Sequence, residues 1–286
     1  MSNISLKLNE QQIQRLKKTF AADVKPNASE YMDTFIQNED VTISIYKSGK
    51  VVFQGKDALF YGSSFIETKK SRQAGSDEVG TGDYFGPVIV TAAIIEESDY
   101  PYLEAHGVTD SKQMDDRTIL QIGEELMKRC KHSLLILEPA QYNKVHETNN
   151  LNEIKARMHN QAYLNLLKKG CTIPKAAYVD QFCPKDAYFG YLMKEKDIYR
   201  DLIFETKAEE KYPAVAVGSV ISRYAFLKYM EKLEKTYGLS FHKGAGEDTD
   251  KDALAFVRKY GRASLEKVAK LHFKNTEKLD ELLRQK

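Results

Sequence analysis

Four acidic residues stand where carboxylates could perform metal chemistry. Asp77 and Glu78 are adjacent, and Asp180 and Glu209 each follow a short apolar run. In an open α/β sheet the ends of such runs converge on one crevice. Carboxylates without His or Cys partners suit Mg²⁺ or Mn²⁺ rather than zinc. Two such ions about 4 Å apart could hold a phosphate and activate a water for in-line attack.

A plainer interpretation stays open for these acids. Most of the 41 Asp and Glu residues must be solvated loop residues or helix caps. Asp186, six residues after Asp180, is a rival for the third or fourth ligand. Adjacent strand residues also point to opposite faces, so Asp77 and Glu78 share a site only if their strand ends or bulges there.

A glycine-rich turn follows the first two acids. Gly80-Thr81-Gly82 could let backbone amides approach a sugar-phosphate closely, and an ordinary tight turn is the alternative. The turn is not a dinucleotide fingerprint, because the next glycine, Gly86, is wrongly spaced and an apolar β-type run follows. No Ser-His-Asp arrangement is indicated, and we expect the histidines to be surface or packing residues.

The overall amino-acid composition limits the classes of protein to which the chain can belong. In 286 residues, 43 Lys and Arg nearly cancel 41 Asp and Glu, so the global charge does not indicate a nucleic-acid binder. The 3 cysteines form no C-x-x-C pair, which is typical of reduced thiols. No apolar run approaches about 18 residues and no signal peptide is visible. We expect a cytoplasmic monomer without a membrane partner.

The first 67 residues form a candidate small α+β domain. The patterns predict a strand at 4–8, a helix at 10–21 and a hairpin of strands 41–46 and 51–54 around Lys47-Ser48-Gly49-Lys50. A polar, basic linker follows at 68–72. We therefore predict domains at 1–67 and 68–286.

Strands and helices alternate in the second domain, which predicts an α/β fold. The positioning strands are one that ends at Asp77-Glu78, followed by 88–95, 133–137, 176–180 and 201–205. The predicted helices are one after Asp110-Ser111-Lys112, 152–169, 217–237 and the basic C-terminal tail.

Four motifs, in order over roughly 71–280, resemble the type 2 ribonucleases H. They are Asp77-Glu78-Val79-Gly80-x-Gly82, Thr109-Asp110-Ser111-Lys112, Tyr178-Val179-Asp180, and the segment from Lys207-Ala208-Glu209 to Gly218-Ser219. Thr81 in place of a basic residue, Glu209 in place of Asp, and the N-terminal domain resemble the ribonuclease HIII branch. The resemblance implies an RNase H-like mixed sheet flanked by helices, with a small TBP-like substrate-binding domain.

The resemblance also implies a function and a site. It implies endonucleolytic cleavage of the RNA strand of RNA–DNA hybrids, with two Mg²⁺ or Mn²⁺ ions held by Asp77, Glu78, Asp180 and Glu209. Gly80, Thr81 and Gly82 match the turn that senses the ribose 2′-hydroxyl. Plausible phosphate contacts are Lys112, Ser219 and Arg223.

Two alternatives to this activity stay open. One is cleavage at single ribonucleotides embedded in DNA, as in ribonuclease HII. The other is a noncatalytic protein that binds hybrids.

Overall fold

The computed structural model describes residues 2–26, 29–63, 70–108 and 114–284. The chain divides into two compact units, residues 1–70 and 71–286. The boundary predicted from the sequence, between residues 67 and 68, lies three residues before the boundary between the units.

Within its described residues, the first unit consists of a five-stranded antiparallel sheet with two α-helices. Its strands are β1 (Ser2–Lys7), β2 (Val24–Lys25), β3 (Met32–Gln37), β4 (Thr42–Tyr46) and β5 (Lys50–Gly55), in the order β1-β5-β4-β3-β2. The helices are α1 (Glu10–Thr19) and α2 (Ala58–Ser63). The predicted strand, helix and hairpin are therefore present, with β2 and β3 in addition.

One face of this sheet forms the core of the unit. Ile43, Ile45, Val51 and Phe53 are completely buried, and they pack with Leu16 of α1. Asn9 caps α1, since its side chain accepts from the Gln12 N–H and the Gln12 side chain accepts from the Asn9 N–H.

The second unit contains a five-stranded mixed sheet. Its strands are β6 (Gln73–Val79), β7 (Val88–Ile95), β8 (Lys131–Leu137), β9 (Ala177–Asp180) and β10 (Ile203–Glu205). The order is β10-β9-β6-β7-β8; β6, β7 and β8 pair antiparallel, and β9 runs parallel to both β6 and β10. Because β6, β9 and β10 are parallel, their carboxyl ends meet at one edge.

Helices cover both faces of this sheet. The α-helices in the described part of the second unit are α3 (Tyr100–Ala105), α4 (Asp116–Arg129), α5 (Pro139–His146), α6 (Leu151–Lys168), α7 (Lys185–Tyr191), α8 (Ala208–Lys211), α9 (Pro213–Tyr237), α10 (Glu247–Tyr260) and α11 (Lys274–Arg284). One core layer lies between the sheet and α6, and another packs α4 and α9 on the opposite face. The predicted mixed α/β fold is confirmed.

Backbone contact between β6 and α9 fixes the centre of the unit. A Cβ on Gly75 would lie 2.3 Å from the Val215 nitrogen, and one on Gly218 would lie 2.9 Å from the Thr91 oxygen. Only glycine permits this approach. The packing carries the N-terminal part of α9 against the strand that bears Asp77.

Candidate metal centre and active site

Asp77 lies on the face of β6 that packs against α9. Its side chain is nearly buried, and one carboxylate oxygen accepts from the Glu78 N–H at 2.8 Å. Burial raises the pKa of Asp77 well above its usual value, and the charges of Glu78 and Asp180 raise it further, while a hydrogen bond from Ser219 opposes the rise. This carboxylate therefore lies in an excess of negative charge.

Glu78 lies on the other face of β6, against α6. Lys155 Nζ donates to its Oε1 at 2.9 Å, and His159 Nε2 is 2.9 Å from its Oε2. Burial alone would raise the pKa of Glu78, but the hydrogen bonds and charges of His159 and Lys155 lower it below the usual value. Glu78 is thus held as a carboxylate.

The continuation of β6 corrects the expectation that this strand ends or bulges at the two acids. Pairing with β7 is regular from Gln73 to Val79, with Asp77 opposite Thr91 and Glu78 opposite Val90. Successive side chains of a regular strand point to opposite faces, so Asp77 turns to α9 and Glu78 to α6.

Asp180 ends β9 beside the position of Asp77. The register pairs Gly75 with Tyr178, so Asp180 follows on the face that carries Asp77. Burial raises the pKa of Asp180; the Ala208 N–H, 2.8 Å from Oδ1, lowers it, and the carboxylates of Glu209 and Glu78 raise it. The Glu209 carboxyl therefore lies near enough to Asp180 to raise its pKa.

An unusual backbone conformation leads into Glu209. Lys207, between β10 and α8, has φ +53° and ψ +45°, the only positive φ outside glycine among the described residues. A left-handed lysine costs about 1 kcal/mol or more. The turn presents the Ala208 N–H to Asp180 and buries Glu209, which is 4% exposed.

The donor set fits a hard divalent cation. Among the described residues, no three His, Cys, Asp or Glu side chains are grouped closely enough to hold a metal ion as they stand. Both Glu78 oxygens are instead bonded to α6. The mutual charges of Asp77, Asp180 and Glu209 are nevertheless of the kind that a cation would neutralise, and carboxylate oxygens suit Mg²⁺ or Mn²⁺.

The glycine turn follows β6 directly. Gly80 has φ +92°, and a Cβ there would lie 2.0 Å from the Pro87 oxygen, so this glycine is required by the fold. Thr81 is partly buried, whereas Gly82 is exposed, and a Cβ on Gly82 would meet no atom within 4 Å. The Asp83 carboxylate accepts from the Gly244 N–H at 2.6 Å and fixes the end of the turn.

The predicted phosphate contacts have other partners here. The Ser219 side chain lies near Asp77 and lowers the pKa of that carboxyl. Arg223 donates to the Met114 carbonyl and to Asp116 Oδ1, each at 2.7 Å. Lys112, with Thr109-Asp110-Ser111, lies outside the described residues. Asp186, the rival ligand, is exposed in the first turn of α7.

Sequence reasoning missed Lys155 and His159. Four residues apart on α6, they lie on the same side of the helix. Ile154 and Met158, four residues apart, mark the apolar face of this helix. The available signal was that Lys155 and His159 directly follow these two residues, where a solvated helix face is not expected.

Known proteins resemble the chain over nearly its whole length. The family described as Ribonuclease HII matches residues 74–276, and one described only as a domain of unknown function matches residues 3–78. A ribonuclease HIII of Lactococcus lactis is 38% identical over 96% of this chain and 97% of its own. One from Streptococcus pneumoniae is 38% identical over 97% and 99%.

A solved structure shows the same likeness. The crystal structure of Bst-RNase HIII in complex with Mn²⁺ is 33% identical, covers 100% of both chains and has a TM-score of 0.77. Among the described residues, no helix is both long and apolar enough to cross a membrane.

Proposed function

Since the chain belongs to the ribonuclease HII family, and within it to ribonuclease HIII, it is a ribonuclease, and we propose that Asp77, Glu78, Asp180 and Glu209 hold the ions with which it hydrolyses the RNA strand of RNA–DNA hybrids. The observation that carries the site assignment is the register of the adjacent parallel strands β6 and β9, which places Asp180 beside Asp77 on one face of the sheet. Burial and neighbouring carboxylates raise the pKa of each of these two acids. Such carboxylate clusters are typical of metal-dependent phosphodiester hydrolysis.

Asp77 is the central ligand in this proposal. The charges of Glu78 and Asp180 both act on it, so Asp77 would hold a divalent cation together with either of these acids. Asp180 and Glu209 complete the side of the site formed by β9 and α8, and Glu78 completes the other. When bound, two Mg²⁺ or Mn²⁺ ions would activate the attacking water and stabilise the leaving oxygen.

The protein itself orients these groups. The Ala208 N–H donates to Asp180, and the Ser219 side chain lies near the Asp77 carboxyl and lowers its pKa. Gly80, Thr81 and Gly82 lie beside the acids along the chain, and in this proposal their backbone contacts the ribose 2′-hydroxyl of the RNA strand. Gly82, exposed and without close neighbours, leaves room for that approach.

The first unit supplies a substrate-binding sheet face in this proposal. The core residues Leu6 and Val51 are cross-strand partners, so the next pair, Lys7 and Lys50, lies on the opposite face. Both lysines are exposed. Like charges directly opposite each other destabilise a sheet, and a polyanion would relieve this cost.

Replacing Asp77 tests the proposed active site. Asp77→Asn should reduce hybrid hydrolysis at least about 10³-fold, because the central ligand charge is lost, while hybrid binding changes little. Ser264→Ala, outside the site, is the control. Undiminished cleavage by Asp77→Asn would overturn the assignment.

The substrate is tested with the wild-type enzyme. A continuous hybrid should be cleaved faster than a DNA duplex that contains a single ribonucleotide. Preference for the single ribonucleotide would favour activity like that of ribonuclease HII. Binding without turnover in Mg²⁺ or Mn²⁺ would favour a noncatalytic protein.

A further inference from the structure

Helix α6 engages both carboxylate oxygens of Glu78. Lys155 Nζ lies 2.9 Å from Oε1 and His159 Nε2 lies 2.9 Å from Oε2. The Lys155 and Glu78 side chains are only 9% and 12% exposed, and His159 is completely buried. A charge pair this deep is weakly screened, unlike the ion pairs on the surface.

Both α6 side chains are held from a second side. His159 Nδ1 lies 2.7 Å from the Ser76 hydroxyl, and Lys155 Nζ lies 3.9 Å from the centre of the Phe182 ring. Their positions are therefore fixed by the core and not only by Glu78. A cation over an aromatic face in a buried site is further stabilised by the ring.

We propose that Lys155 and His159 are positioning residues that take the place of a cation at Glu78, so that metal binding and the release of Glu78 from α6 are coupled. This inference rests on the proposed metal centre. Because Glu78 points away from Asp77 in the regular strand β6, its carboxylate must give up contacts to α6 to share an ion with Asp77.

The positive charge of Lys155 disfavours the binding of a divalent cation by Glu78. An ion bound by Glu78 would lie close to the lysine ammonium, in a region where burial strengthens their repulsion. Loss of that charge leaves His159 as the remaining α6 partner of Glu78, with less positive charge to offset the carboxylates of Asp77 and Glu78. The metal-free protein then becomes less stable, and its affinity for a divalent cation rises. A merely structural lysine would have the opposite effect, since its loss would disorder the site and weaken binding.

Calorimetric titration of the full chain with Mn²⁺ tests the coupling. Lys155→Gln should lower the Kd for Mn²⁺ about tenfold. The metal-free variant should melt at a lower temperature than wild type, and Mn²⁺ should raise its melting temperature by more. Lys155→Arg, which keeps the charge, should restore wild-type values.

Arg157 provides the matched control on the same helix. It pairs with Glu153 and Glu195, at 2.9 and 3.2 Å, and not with Glu78. Arg157→Gln removes the same charge and should leave the Kd for Mn²⁺ unchanged. Lys155→Met, which keeps an apolar stem on Phe182, is measured in parallel in case Lys155→Gln does not fold.

The outcomes separate this inference from the proposed function. If wild type binds Mn²⁺, Asp77→Asn abolishes binding, and Lys155→Gln and Lys155→Met bind Mn²⁺ as wild type does or more weakly, only the inference is overturned. Failure of Lys155→Gln and Lys155→Met to fold even with Mn²⁺ would also overturn it. If wild type binds no Mn²⁺ that depends on Asp77, the proposed metal centre itself fails.

Discussion

Gly80 and Gly82 flank Thr81, and their surroundings differ. Gly80 has a left-handed backbone and no space for a side chain, whereas Gly82 has neither restriction. Gly82→Ala should therefore fold as wild type, with a free energy of unfolding within about 0.5 kcal/mol. If RNA approaches the backbone here, the added methyl should raise KM for the hybrid about tenfold. Steady-state kinetics and urea unfolding measure the two effects.

The comparison with Gly80→Ala completes this test. That variant should lose several kcal/mol of stability, because its Cβ would overlap the Pro87 carbonyl. Wild-type kinetics of a well-folded Gly82→Ala variant would show that the substrate does not contact this glycine.

Lys270, which is not among the proposed metal ligands, leads us to expect a pH-dependent stability. It is completely buried, its Nζ donates to the Gly86 carbonyl at 2.6 Å, and burial lowers its pKa to about 7. Between pH 7 and 9.5 the unfolded chain keeps this proton and the native state loses it, so the free energy of unfolding rises with pH. The contribution over this window is about 3 kcal/mol.

Lys270→Met isolates this contribution. Urea unfolding at pH 7 and 9.5 should show that the free energy of unfolding of wild type rises by about 3 kcal/mol more than that of the variant. Subtracting the variant's change from that of wild type removes the contribution of all other titrating groups. An equal change in the two proteins would show that Lys270 keeps its ordinary pKa.

The contact between β6 and α9 is the element-scale feature on which the site depends. A methyl on Gly218 would press on Thr91 O at 2.9 Å and lie 3.4 Å from the Asp77 nitrogen. Gly218→Ala should therefore cost about 2 kcal/mol of stability and reduce kcat, because the strand that carries Asp77 must shift. Urea unfolding and hybrid hydrolysis measure these losses.

Gly190 in α7 is the control for a glycine in a helix. A Cβ there meets no atom within 4 Å, so Gly190→Ala should stabilise the protein by about 0.5–1 kcal/mol. A Gly218→Ala variant that is equally stabilised would contradict the close packing of α9.

The sequence predicted the elements better than their contacts. Strand β7 matches its predicted range. Helix α9 ends at Tyr237, before Gly238, as expected, but begins at Pro213 rather than Val217. Apolar periodicity reports burial, and it carries no information on which helix lies against which carboxylate. The pairing of Glu78 with Lys155 arises from tertiary packing across 77 residues, so no local pattern could show it.

At the scale of the whole molecule, the two units carry different chemistry. The four proposed metal ligands lie in residues 71–286, whereas the paired lysines Lys7 and Lys50 lie in residues 1–70. If the first unit binds the phosphate backbone, its lysines should govern affinity and salt dependence but not the chemical step. Substitution of these lysines should therefore change KM for the hybrid and leave kcat unchanged.

Lys7→Glu together with Lys50→Glu tests this division. The double variant should raise KM for the hybrid about tenfold or more at low salt and leave kcat within about twofold, because no metal ligand changes. The slope of log affinity against log salt should become shallower by about 1 for each phosphate that the variant no longer neutralises. Arg15→Glu together with Lys18→Glu, at two exposed positions on α1, makes the same charge change outside the paired lysines. An equal effect of this control double variant would assign the change to net charge, and a fall in kcat with unchanged KM would place Lys7 and Lys50 in the chemical step instead.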